Sequence, residues 1–226
     1  MQRMTRHRLV RQLSSCLIIA GGIVLAYPLW SAGYAEVQQA RLGETYRQSE
    51  QAFLRALRRQ SPSPAVDDPY TRIASLANRF ARRLRSGQPI GRLRNKRIGL
   101  NSVVLQGRAR GAATDPDQTL LRSGPVHYAN TPLPGQGQPF AIAGHRTTYG
   151  APFRNLDRLR PGDQLVLVTP YATFTYRVAK KTVTRPTDTS VLHDRGYDLV
   201  LTTCHPPYSA KQRLVVWARL SDYAFR

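Results

Sequence analysis

The rhythm of apolar and polar positions changes twice along this chain. Residues 13–30 read LSSCLIIAGGIVLAYPLW, apolar on every side and without a charged residue. About 18 such residues are at the short end of what crosses a bilayer as a helix. Residues 35–60 hold one glycine, no proline and many helix formers, which predicts an arginine-rich helix. Ser61-Pro62-Ser63-Pro64 breaks it, and Asp67, Asp68 and Pro69 extend the break. Over 70–86, Ile73, Leu76, Phe80 and Leu84 recur at helical spacing among arginines. That pattern fits a helix packed on a domain with a wet basic face, or one lying on anionic lipid. From residue 88 the texture is short β-rich runs punctuated by Gly and Pro. Candidate strands cover 97–100, 102–106, 140–143, 164–169, 173–181, 197–203 and 214–220. Many short strands between turn signals predict a barrel or sandwich. One short helix fits 153–159, and the Gly-, Ala- and Asp-rich tract 107–118 reads as a loop.

Charge narrows the partners. Thirty-four Lys and Arg stand against 13 Asp and Glu, for a net charge of +21. Nucleic acid, anionic lipid and anionic wall polymer all attract such a chain. The apolar segment decides among them. Arg3, Arg6, Arg8 and Arg11 precede it, so the N-terminus stays cytoplasmic and everything after Trp30 lies outside. Tyr27 and Trp30 then mark the outer interface. Gly33-Tyr34-Ala35 has the small-x-small form of a signal cleavage site, but the apolar length favours an uncleaved anchor. Export argues against nucleic acid as a partner. The expected layout is a basic tail (1–12), a transmembrane anchor (13–30), an arginine-rich helical stalk or linker (31–87) and a catalytic domain (88–226).

The chemistry gathers at three positions. Of the two cysteines, Cys16 lies inside the apolar segment and reads as a small filler. Cys204 is then a lone thiol in an oxidising compartment, which marks it as reactive. It follows the candidate strand at 197–203. His145 follows the run at 140–143, and Arg213 immediately precedes the last strand. Cys with His is the minimum for thiol nucleophilic catalysis. A free thiol titrates near ~8.5, so a nearby cation is needed to favour the thiolate. The same His can protonate a leaving amine. An arginine near the thiol can hold the oxyanion. His205 adjoins Cys204, but strand alternation turns it away from the nucleophile. His127 and His193 read as loop residues. No acidic cluster has calcium-loop spacing and the five His are scattered, so neither a metal nor a cofactor is expected.

Leu201-Thr202-Thr203-Cys204, with Arg213 nine residues on, resembles the sortase signature Thr-Leu-x-Thr-Cys followed by Arg. Ala143-Gly144-His145-Arg146-Thr147-Thr148-Tyr149-Gly150-Ala151-Pro152-Phe153 resembles the family's histidine segment. Gly124-Pro125-Val126-His127-Tyr128, Leu133-Pro134-Gly135-Gln136 and Cys204-His205-Pro206 are most similar to class E sortases. The resemblance covers roughly 88–220. One position departs: Val200 stands where the signature has its first Thr. The resemblance implies a closed eight-strand β-barrel with short helices, an all-β fold behind an N-terminal anchor. It implies Cys204, His145 and Arg213 as catalytic residues and Tyr128, Thr203 and Leu201 as substrate contacts. It implies cleavage of a Leu-Pro-x-Thr-Gly or Leu-Ala-x-Thr-Gly sorting signal between Thr and Gly through an acyl-thioester. The expected partners are surface proteins bearing that signal, a peptidoglycan-precursor amine and the membrane. An L,D-transpeptidase is set aside, because its Ser-x-Gly before Cys and Arg directly after it are absent. A pilin-polymerising sortase, a hydrolytic thiol protease and a basic wall-binding module remain as competing readings.

Overall fold

The computed structural model describes residues 2–59, 68–108, 116–137 and 139–226, with the backbone alone for 2–10. Helix α1 (Gln2–Arg58) runs unbroken from the basic tail through the apolar stretch and on past it. The stretch is long and apolar enough to cross a membrane, and none of residues 13–30 is buried in the protein. Helix α2 (Pro69–Ala81) follows, capped by the Asp68 carboxylate, which accepts from the Tyr70 and Thr71 backbone N–H groups.

Eight strands then close into a barrel. They are β1 (Pro89–Asn95), β2 (Leu100–Gln106), β3 (Val126–His127), β4 (Phe140–Ala143), β5 (Gln164–Val168), β6 (Ala172–Thr184), β7 (Leu199–His205) and β8 (Gln212–Phe225). Their order around the barrel is β1-β2-β3-β4-β7-β8-β6-β5, which bears out the closed eight-strand expectation. Alternation sorts the side chains into two layers. Phe140, Ile142, Leu199, Leu201, Leu214 and Val216 join the core cluster that fills the barrel. Ala141, Ala143, Val200, Val215 and Trp217 form a second cluster with Tyr128 and Leu192, on the opposite face of the same strands. Val200 is fully buried there among apolar neighbours. A threonine hydroxyl at that position would need a partner of its own.

Several boundaries differ from the sequence reading. Residues 97–100 are not a strand. They fall mainly in the turn that leads to β2, where Gly99 has φ +68°. The true first strand, β1, was hidden by Pro89, Gly91 and its arginines. Gly91 sits at a register shift where a Cβ would lie 2.5 Å from the Val168 carbonyl oxygen, so only glycine fits. Strand β3 is too short for any periodicity to reveal. His127 is therefore not a loop residue but a buried member of β3. The helix expected at 153–159 contracts to a 3-10 turn over Leu156–Arg158. Of the tract 107–118, residues 109–115 lie outside the described residues.

Beyond the apolar stretch, α1 lies along the barrel. Gln39 accepts from the Val103 N–H at 2.7 Å and donates to the Ser123 carbonyl at 2.8 Å. The Tyr46 hydroxyl donates to the Val168 carbonyl at 3.0 Å. Phe53 meets Phe80 of α2 edge-on at 5.5 Å between centroids. Helix α2 buries Ile73, Ala77 and Phe80 in the core cluster, so of its two sequence readings the packed one holds. Burying Ile73 and Phe80 contributes about 1.5–3 kcal/mol each.

Candidate active site

Three adjacent strands carry the site. β4 and β7 run parallel with Ala143 beside Thr202. The pairing continues beyond β4. The Gly144 N–H donates to the Thr202 carbonyl at 3.1 Å, and the Thr203 hydroxyl donates to the Gly144 carbonyl at 2.7 Å. One residue further on, His145 draws level with Cys204. On the other side, β7 and β8 are antiparallel with Cys204 opposite Arg213. Carried two residues past β4, that register sets His145 in one row with Cys204 of β7 and Arg213 of β8. Stepping by two along each strand leads from Ala143, Val200 and Val215 to this row, so it lies on the face of the second cluster.

Each member of the row has a distinct environment. Cys204 is half-buried and free. The Arg213 guanidinium donates to the carbonyls of Ala210, in the loop between β7 and β8, and of Gln212, the first residue of β8, at 3.1 and 3.2 Å. The His145 ring lies over Tyr149, with centroids 5.3 Å apart and planes 35° apart. Its Nε2 is buried without a hydrogen-bond partner among the described residues. Burial lowers the His145 pKa, and the Arg122 charge adds to the effect. Both effects favour the neutral imidazole.

The substrate-contact candidates divide. The Tyr128 hydroxyl is 2.8 Å from the Thr202 Oγ1, and Tyr128, Thr202, Leu192 and Arg213 share a small recess of about 30 Å³ beside the row. Leu201 is fully buried inside the barrel. Thr203 spends its hydroxyl on Gly144. The structure does not bring the side chains of Leu201 and Thr203 to the row.

Arg146 was missed. It is 4% exposed, which is rare for arginine and calls for partners. It donates to the Cys204 carbonyl at 3.3 Å and to His205 Nδ1 at 2.8 Å, and it pairs with Asp157 at 3.2 Å. It therefore ties the histidine loop to the end of β7. Because arginine only donates, His205 Nδ1 is the acceptor and is occupied. The sequence signal was alternation: the neighbour of an outward His145 must face inward. In a chain with so many arginines it did not stand out.

The loop after Arg146 is strained. Tyr149, Gly150 and Ala151 have φ of +50°, +71° and +44° in succession. A non-glycine residue in that region costs about 1–3 kcal/mol. Helix α1 closes on this loop. The Tyr27 hydroxyl donates to the Tyr149 hydroxyl at 3.2 Å, and Tyr34 meets the Tyr149 ring edge-on at 6.2 Å.

A sequence model of the sortase domain matches residues 93–221. The chain belongs to the sortase family. It is 37% identical over 111 residues to sortase SrtE1 of Streptomyces coelicolor, covering 42% of this chain and 32% of that protein. It thus spans about a third of that relative's length. It is 28% identical over 200 residues to sortase D of Bacillus subtilis, covering 87% of this chain and 90% of that one. Among solved structures, sortase E1 of Streptomyces coelicolor with a tripeptide in its active site superposes with a TM-score of 0.54 at 29% identity. That alignment covers 62% of this chain and 92% of the other. The class E resemblance seen in the motifs thus reappears in whole-domain likeness.

Proposed function

We propose that this sortase is a membrane-anchored cysteine transpeptidase. It cleaves a Leu-Pro/Ala-x-Thr-Gly-type sorting signal between Thr and Gly and transfers the protein to a cell-wall amine. The single row of His145, Cys204 and Arg213 carries the reading, because it aligns nucleophile, acid and oxyanion donor along one face. The Cys204 thiolate attacks the threonine carbonyl carbon. Arg213 turns from the Ala210 and Gln212 carbonyls to the developing oxyanion. The His145 imidazolium gives its proton to the glycine nitrogen, the C–N bond breaks, and a thioester remains on Cys204. The acceptor amine then attacks the thioester carbonyl, its proton returns to His145, and the thiolate leaves. With no amine present, water takes its place and the outcome is hydrolysis.

The bias of His145 toward its neutral form bears on this chemistry. The competent pair is thiolate with imidazolium, and a lowered imidazole pKa makes that pair a minor species at neutral pH. Tyr128 and the recess it shares with Arg213 are the candidate place for the signal beside the row. Leu201 and Thr203 act through the backbone they hold. On this reading residues 13–30 span the membrane, with residues 1–12 inside and the barrel outside.

The test uses the full chain in neutral-lipid nanodiscs with both signal peptides and a set of amines, products read by mass. Cleavage at Thr–Gly with an amine-joined product is expected. A Cys204→Ala protein that still cleaves would remove the assignment.

A further inference from the structure

We infer that the elbow where α2 packs against α1, around Phe53 and Phe80, binds a phosphodiester polymer that lies beyond the membrane, not the membrane itself. This rests on the anchored reading of residues 13–30.

Charge and height point to it together. Arg79, Arg82 and Arg83 of α2 and its C-terminal edge meet Phe53, Ala56 and Leu57 of α1 around a recess of about 110 Å³. Arg55 and Arg58 of α1 and Arg59 past its end are exposed as well, but helical spacing turns them to other faces than Phe53, Ala56 and Leu57. Among the described residues, Arg79, Arg82 and Arg83 have no carboxylate partner. From 51 to 87 the sequence holds two acidic residues, Asp67 and Asp68. Asp68 is already committed to capping α2. The negative end of the α2 dipole favours a cation or two in the last turn, but it does not call for this whole group.

Height separates lipid from polymer. Helix α1 is continuous from Trp30 to Phe53. At about 1.5 Å per residue, Phe53 stands about 35 Å past Trp30, or about 26 Å if the helix tilts by about 40°. Attraction to lipid headgroups decays over about 8 Å at physiological salt. Phe53 touches Phe80, so α2 is fixed at the same height. The arginines are therefore out of reach of their own bilayer. Guanidinium forks match phosphate oxygens two to one, and a recess ringed by three of them fits one phosphate of a chain.

The test uses the full chain, as Cys204→Ala, in phosphatidylcholine nanodiscs, so it does not depend on turnover. A chain that fails to insert is seen when the discs are made, which separates failure of the anchor from failure of the polymer site. The probe is fluorescent poly(glycerol phosphate), followed by anisotropy across a salt series. Arg79→Gln/Arg82→Gln/Arg83→Gln is compared with Arg94→Gln/Arg158→Gln/Arg160→Gln, an equal loss of charge on the barrel. The elbow variant should bind at least tenfold more weakly, with a salt slope smaller by about two. The barrel variant should change less than threefold. The double variant Arg82→Gln/Arg83→Gln, both exposed, should show the same direction, and peptide cleavage in the active background reports folding. Equal losses in both triple variants would reduce the effect to net charge and overturn the site. So would polyglutamate competing as well as poly(glycerol phosphate), or an elbow variant that loses only its added affinity for phosphatidylglycerol discs.

Discussion

Tyr149 covers the ring of His145 at 5.3 Å, and it does so from a left-handed backbone with φ +50°. A tyrosine held there at some cost in backbone energy is a positioning residue for the imidazole. Its ring helps exclude water from His145, and burial is the leading cause of the lowered pKa. Tyr149→Ala should raise the His145 titration midpoint toward the ordinary value near ~6.5, read by NMR of the ring protons. Tyr149→Phe keeps the ring and should leave the midpoint in place. Equal midpoints in wild type and Tyr149→Ala would show that the ring only fills space.

The proposed nucleophile can be tested for fold and chemistry separately. Cys204 is half-buried at the end of β7, so its sulfur contributes little packing. Cys204→Ala should abolish cleavage and shift the thermal midpoint by only a few degrees, on the order expected for about 1 kcal/mol or less. A large loss of stability would mean that the inactive protein says nothing about chemistry.

On the proposed mechanism Arg213 must let go of the Ala210 and Gln212 carbonyls to reach an oxyanion. Arg213→Lys keeps the charge but loses the planar fork. Cleavage should fall more than tenfold in kcat, on the order of one lost oxyanion donor. Near-normal kcat would leave Arg213 as a brace for the loop between β7 and β8.

His127 sets a limit on acid stability. It is buried in β3 between Gln106 and Thr131, and burial pushes its pKa down to about 3. Between that value and ~6.5 the unfolded chain binds the proton and the folded one does not. Stability from His127 is therefore whole above ~6.5 and is lost as pH falls toward 3. The total is on the order of 4–5 kcal/mol. His127→Gln should start less stable at pH 7 and lose stability less steeply between pH 6.5 and 4, followed by denaturant midpoints. Parallel curves for the two proteins would assign the acid loss to other groups.

The two helices and most of the strands were legible because their apolar periods are long. The interiors of β6, β7 and β8 are set by alternation alone, and Cys204 and Arg213 could be placed on neighbouring strands from spacing. What escaped were features made by distant partners. β1 looks like a loop until Val168 of β5 is laid against Gly91. β3 exists because β2 and β4 flank it. Arg146 is ordinary in composition and exceptional only in its burial. Leu201 and Thr203 belong to a motif, but membership in a motif does not say which way a side chain points. Alternation does, and it turns both away from Cys204.

The unbroken course of α1 has a consequence for encounter. A domain on a flexible linker sweeps a volume, and the linker length sets its effective concentration toward a fixed target. Here the helix leaves its apolar stretch and is bonded to the barrel at Gln39, Tyr46 and Glu50, the last through Arg226. There is no slack between the apolar stretch and the row of His145, Cys204 and Arg213. On the anchored reading the enzyme searches only in two dimensions, at one height, like a post sliding in a floor. The freedom needed to bring signal and row together must then belong to the substrate.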